Sequence, residues 1–205
     1  FTMLAFSHDA LLFRRGSCLF LLILCSILGD QDNATNGMRS DFMDIYLGAN
    51  CAFCISVGTG FDAVPAIFRR SLVFVNAAPL GYCCTSLSNL LLAKHHIDIN
   101  SGHELTLHKI FSLGIGFCLR SSDYESKNVD LIENTPEEIR DVAVEMVERL
   151  NETWQEYPED EVLQQRFWEI FPTEAVDASE GKPLHGEIRA RSGANFLRLN
   201  PDWIK

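Results

Sequence analysis

The stretch Cys54-Ile-Ser-Val-Gly-Thr-Gly-Phe-Asp-Ala-Val-Pro-Ala-Ile-Phe-Arg-Arg-Ser-Leu-Val-Phe-Val-Asn76 reads as strand, glycine turn, short helix and second strand in immediate succession. Ala52 to Val57 is a short apolar run that ends at glycines, and Leu72 to Val75 is another. Both suit buried parallel strands. Gly58 and Gly60 open backbone angles closed to other residues and leave room for a ligand against the main chain. The amides of Gly58, Thr59, Gly60 and Phe61 would then face outward at the start of a helix, where partial positive charge and unpaired N–H groups receive a diphosphate. The other reading is a tight strand-to-helix turn with no ligand. The spacing is not GxGxxG, because Ala63 stands three residues after Gly60, and no Gly-Lys-Ser/Thr follows to make a P-loop.

Outward from this unit, Ser40 caps an expected helix through Asp41, Phe42, Ile45, Tyr46 and Leu47, which Gly48 should end. Leu87 to Lys94 and Thr106 to Leu113 read as two further short helices, punctuated by Gly102 and Gly114, and Val129 to Ile132 as a strand. Thr135-Pro-Glu-Glu138 is a capping box, after which Ile139, Val142, Ala143, Met146, Val147 and Leu150 recur at helical spacing. An acidic helix follows Pro158, with Val162, Leu163, Phe167 and Ile170 inward and Pro172 closing it. Thr173 to Gly186 reads as a loop and Ser192 to Leu199 as a terminal helix.

The chain has 205 residues, 47% of them hydrophobic, enough for one core but not for two Rossmann-like domains. A formal charge of −11, from 17 Lys and Arg against 28 Asp and Glu, opposes nonspecific attraction to nucleic acid or anionic lipid. Seven cysteines without a regular framework suggest reduced thiols in a cytosolic setting. Cys51-Ala-Phe-Cys54 has metal or redox spacing, but it opens a strand and no second such pair follows. Residues 1–33 imitate a secretory signal: Arg14-Arg15, then an apolar core from Cys18 to Leu28, short of the ~20 residues that span a bilayer. They are expected to be foreign to the fold that follows, a buried helix or strand being the alternative.

Few other residues suggest chemistry. His95, His96, His103 and His108 cluster, and His103-Glu104-Leu-Thr-Leu-His108 is one residue too long for a zinc-protease helix, which turns the second imidazole about 100° from the required face. No metal site is expected. A solvated loop is the expected place for His95, His96 and Glu104, while one of the three, with His96 and Glu104 foremost, is a candidate contact for a sugar or nucleobase beyond a strand's carboxyl end. Asn76 joins them as a candidate contact. Asp62 is expected to cap its helix, with contact to a sugar hydroxyl as the sharper alternative. Ser56 precedes the turn rather than standing at its apex, so a hydrolase elbow is not indicated.

Arg39-Ser-Asp-Phe-Met-Asp-Ile-Tyr-Leu-Gly-Ala-Asn50, Ile55 to Asp62, Phe68-Arg-Arg70, Val73 to Asn76, Ile188-Arg-Ala-Arg191 and Phe196 to Trp203 together resemble a family of bacterial glycosyltransferases of surface-polysaccharide synthesis, similar to GT-B enzymes and distantly to fucosyltransferases. The resemblance runs from about Ala34 to the C-terminus; the family usually has Pro where this chain has Ser71. It implies an α/β fold, a Rossmann-like parallel sheet flanked by helices in one nucleotide-sugar-binding domain over 34–205, equivalent to the C-terminal half of a GT-B enzyme. Ser56, Gly58, Thr59, Gly60 and Phe61 would lie at the donor diphosphate. The N-terminal half, with the acceptor site and often the base, would be missing, so the resemblance names no catalytic residue and the isolated chain is expected to be inactive. It implies a nucleotide-sugar donor, a surface-glycan acceptor, no cofactor, and a cytoplasmic place with peripheral contact with the inner membrane as an option. The alternative is a noncatalytic nucleotide or sugar-phosphate binding module.

Overall fold

The computed structural model describes residues 22–23, 40–177 and 180–205. A two-residue strand, β1 (Leu22–Ile23), lies antiparallel to β2 (Phe53–Ser56), with Leu22 opposite Ile55 and Ile23 opposite Cys54. The rest of residues 1–33 lies outside the described residues. Helix α1 (Asp41–Asn50) starts where Ser40 accepts a hydrogen bond from Met43 N at 3.2 Å. It runs straight through Gly48, which does not end it. A Cβ there would stand 2.9 Å from Val64 Cγ1, so the missing side chain serves close packing rather than termination.

After β2 the chain makes a single 3₁₀ turn (Gly60–Asp62), a short helix α2 (Ala63–Ile67) and strand β3 (Ser71–Ala77). β2 and β3 are parallel, in register from Phe53 opposite Ser71 to Ser56 opposite Phe74. β4 (Leu90–Ala93) continues the parallel sheet beside β3, and β7 (Arg191–Ser192) lies beside β4. The order is β1-β2-β3-β4-β7, with four parallel strands. The helix expected over Leu87 to Lys94 is therefore strand β4. Its four residues are all buried, and an apolar run covered on both faces carries no period that separates strand from helix.

A second, antiparallel sheet pairs β5 (His95–Asp98) with β6 (Val129–Ile132). His95 and His96 thus belong to a strand, not to the solvated loop expected for them. Helices α3 (Leu107–Ser112) and α4 (Ser121–Glu125) connect the two strands. Helix α5 (Pro136–Leu150) opens with the full capping box: Thr135 Oγ1 accepts from Glu138 N at 3.2 Å, and Glu138 accepts from Thr135 N at 2.7 Å. Its buried Ile139, Val142, Ala143 and Met146 face the sheet, and α5 packs on β3 and β4. In α6 (Pro158–Ile170) Phe167 is buried, but Val162 is 57% exposed, contrary to its expected inward place. The terminal helix α7 (Ala194–Leu199) is shorter than expected because Ser192 is taken into β7. The architecture is α/β, a four-stranded parallel sheet flanked by helices.

Where backbone pairing is incomplete, buried amide side chains complete it. Asn89 Oδ1 accepts from Leu72 N at 2.9 Å, at the start of β3. Gln164, on α6, accepts from Ser192 N at 3.0 Å and donates to Ser192 O at 2.5 Å. Glu145, only 1% exposed, accepts from Ala194 N at 2.8 Å and from Arg149 Nε at 2.9 Å, holding the first turn of α7 against α5. Burial raises its carboxyl pKa even so.

Candidate functional site

All four parallel strands present their carboxyl ends on one edge, the edge where open α/β sheets bind ligands. The turn after β2 stands there. Ser56 is buried, and its hydroxyl accepts from Gly58 N at 3.1 Å, which fixes the start of the turn from inside. Gly58 has φ +79°, a left-handed conformation that glycine adopts without Cβ strain. Nothing lies within 4 Å of where a Cβ would stand on Gly58 or on Gly60, so the backbone faces open space at both.

The amides of the turn divide into two sets. Gly58 N is used by Ser56, and Asp62 N donates to Thr59 O at 3.0 Å. Among the described residues none accepts a hydrogen bond from the amides of Thr59, Gly60 or Phe61. The Thr59 side chain makes no capping bond either. Three donors and one hydroxyl therefore stand together at a half-exposed turn. Such a group is a ready partner for an anionic oxygen.

Asp62 occupies the N-cap position of α2 but does not make the capping bond expected of it. Its backbone is already helical, at φ −60° and ψ −19°, whereas a capping residue is usually extended so that its side chain swings back over the first turn. Burial raises the Asp62 carboxyl pKa, against a smaller lowering from its own backbone amide. This carboxylate is correspondingly easier to neutralise beside an anion.

The other three candidate contacts are engaged within the protein. Asn76 sits in an irregularity of β3, at φ +52°, and accepts from Asn134 N at 2.6 Å while its own amide donates to Asn134 Oδ1 at 2.6 Å. Asparagine tolerates the left-handed region better than most residues. Asn134 Nδ2 also donates to Ala93 O at 2.7 Å, so this one side chain ties the start of α5 to the ends of β3 and β4. His96 has no exposed surface; its Nδ1 lies 2.9 Å from Lys94 O, and burial lowers its pKa to about 4, leaving the ring neutral.

Glu104 accepts from His95 Nδ1 at 2.8 Å, and a Glu138 carboxylate oxygen lies 3.1 Å from His95 Nε2. These two bonds, that to Glu104 first, raise the His95 pKa to about 10, so the ring is an imidazolium held between two carboxylates. The sequence marked Glu138 as a helix cap and gave no sign of its second partner 43 residues away.

Cys51 and Cys54 are fully buried, and burial pushes the Cys54 thiol far above its ordinary value, which suits a core side chain rather than a thiolate. Among the described residues no three His, Cys, Asp or Glu side chains gather as metal ligands, and no helix is long and apolar enough to cross a membrane. In comparisons with models of protein families, with curated proteins and with solved structures, nothing matches this chain.

Proposed function

We propose that the turn from Ser56 to Phe61 holds the diphosphate of a nucleotide-sugar, in the donor-binding half of a glycosyltransferase whose acceptor is a surface glycan. The observation that carries the reading is the set of unused amides on Thr59, Gly60 and Phe61 at the carboxyl edge of a parallel sheet. Fixed N–H dipoles aimed at a leaving diphosphate stabilise negative charge as it develops, without reorganising at the moment of reaction. The resemblance of residues 34–205 to bacterial glycosyltransferases supplies the sugar chemistry. A noncatalytic nucleotide-binding module is the second reading, favoured by one observation: the candidate contact Glu104 is taken up by His95, which also meets Glu138, so these acid and base groups bind one another.

Gly60→Val is the informative variant. Valine at Gly58 would strain the left-handed turn itself, whereas Gly60 lies in an ordinary conformation with open space around it. Calorimetry with uridine and guanosine diphosphates should give weak binding to the wild-type chain and a loss of about tenfold or more, roughly 1.4 kcal/mol, in Gly60→Val at unchanged thermal stability. Equal affinity in the two proteins would remove the turn from the donor site. Donor turnover with a glycan acceptor present separates transferase from binding module.

A further inference from the structure

A second cleft, of about 420 Å³, opens at the ends of the neighbouring strands β3 and β4. Pro79 and Lys94 follow those two strands, Tyr124 lines the cleft from α4, and Arg120 and Ser121 stand where α4 begins. Glu125, on α4, and Asp130, on β6, add two acids to the wall. In a chain of net −11, the arginines at 140, 149, 189, 191 and 198 pair with acids, whereas among the described residues Arg120, like Arg69, Arg70 and Arg166, has no ion pair, and of these four Arg120 lines the cleft. Lys94 has only a loose ion pair, 3.8 Å from an exposed Glu133. Two weakly compensated cations therefore face one cleft, together with the acids Glu125 and Asp130. Asp130 accepts from Leu131 N with one oxygen, which leaves the other to receive a hydroxyl, and Tyr124 donates to Cys118 O at 3.0 Å, which leaves its oxygen as an acceptor.

We propose that this cleft binds a monosaccharide carrying one acidic group. Arg120 and Lys94 take the acid, Asp130 and Tyr124 receive sugar hydroxyls, and Pro79 offers an apolar surface to the ring. A bare phosphate would meet the Asp130 carboxylate unfavourably; a polyhydroxylated ring supplies the donors that carboxylate needs. Guanidinium is the side chain best suited to carboxylate and phosphate alike, so both acids fit the site and the experiment tells them apart. The inference does not depend on the glycine turn.

The test is a titration of the ¹⁵N-labelled chain with glucose 1-phosphate, glucuronate and glucose, read by amide chemical shifts. Saturable shifts confined to residues 118–131 and the neighbourhood of Lys94 are expected with one or both acids, and weaker binding by about tenfold with glucose. Arg120→Gln should weaken the acids by a similar factor while leaving glucose and the circular dichroism spectrum unchanged. Arg166→Gln, at an exposed arginine on α6, serves as the control and should bind as the wild type does. Binding of glucose as tightly as the acids, shifts elsewhere, or an Arg120→Gln chain with wild-type affinity overturns the proposal.

Discussion

Two consecutive histidines carry opposite charge states. Strand geometry sends adjacent side chains to opposite faces, so His95 meets Glu104 and Glu138 while His96 enters the core. The His95 pKa, raised to about 10 from 6.5, contributes stability that is complete below pH 6.5 and is lost as pH rises through about 10. Burial works against the charged form of Glu138, but its bonds to His95 and Thr135 outweigh that and hold its pKa below 4.5. Its contribution is therefore complete above pH 4.5 and lost in acid. The melting temperature of His95→Gln should accordingly fall furthest below that of the wild type between pH 4.5 and 6.5, and the gap should narrow towards pH 10. Thermal melts by circular dichroism across that range decide it; a gap independent of pH would mean that the imidazole acts by shape alone. His96 works in the other direction, since a pKa lowered to about 4, chiefly by burial, removes stability as pH falls below 6.5.

At the scale of elements, what could be read in advance was local. The β2-turn-α2-β3 unit and the capping box of α5 are written in residues within a few positions of each other, and both formed as expected. The leucines of β4 misled because a fully covered strand lacks alternation. The bonds of Asn134 to Asn76 and of Gln164 to Ser192 join residues 58 and 28 positions apart, and nothing near either residue announces its partner. For the candidate site this meant that the open turn was legible, while the burial of His96 and the engagement of Asn76 and Glu104 were not. Close approach was equally hidden at Gly81, a buried position in a turn after β3 where a Cβ would overlap the Phe117 ring. That ring also meets Tyr82 edge-on and packs beside Phe111, so it has little room to retreat. Gly81→Ala should cost about 2 kcal/mol, within the range for overpacking a close-packed interior, as read from urea midpoints. An unchanged midpoint would show that the ring moves freely.

For the whole molecule, the four parallel strands place their carboxyl ends, and with them the glycine turn, on one side of the sheet. The sheet also has two lateral margins, and the one at β7 ends in an unusual way. Arg191 N and Gly193 N turn inward to Asn89 O and Leu91 O at 2.9 and 3.0 Å, so Ser192 N and O face outward, the two groups that another strand would grasp. Gln164 takes both with a single side-chain amide and leaves Ser192 only 2% exposed. Such a margin offers no template to a neighbouring molecule. Gln164→Leu keeps the bulk and removes the seal, leaving two buried backbone groups unsatisfied at about 1 to 3 kcal/mol each. The expected result, followed by light scattering, is concentration-dependent association at temperatures where the wild type stays dispersed; a variant that unfolds earlier yet never associates would show the seal to be stabilising only. One amide side chain thus stands between this sheet and open-ended growth by strand addition.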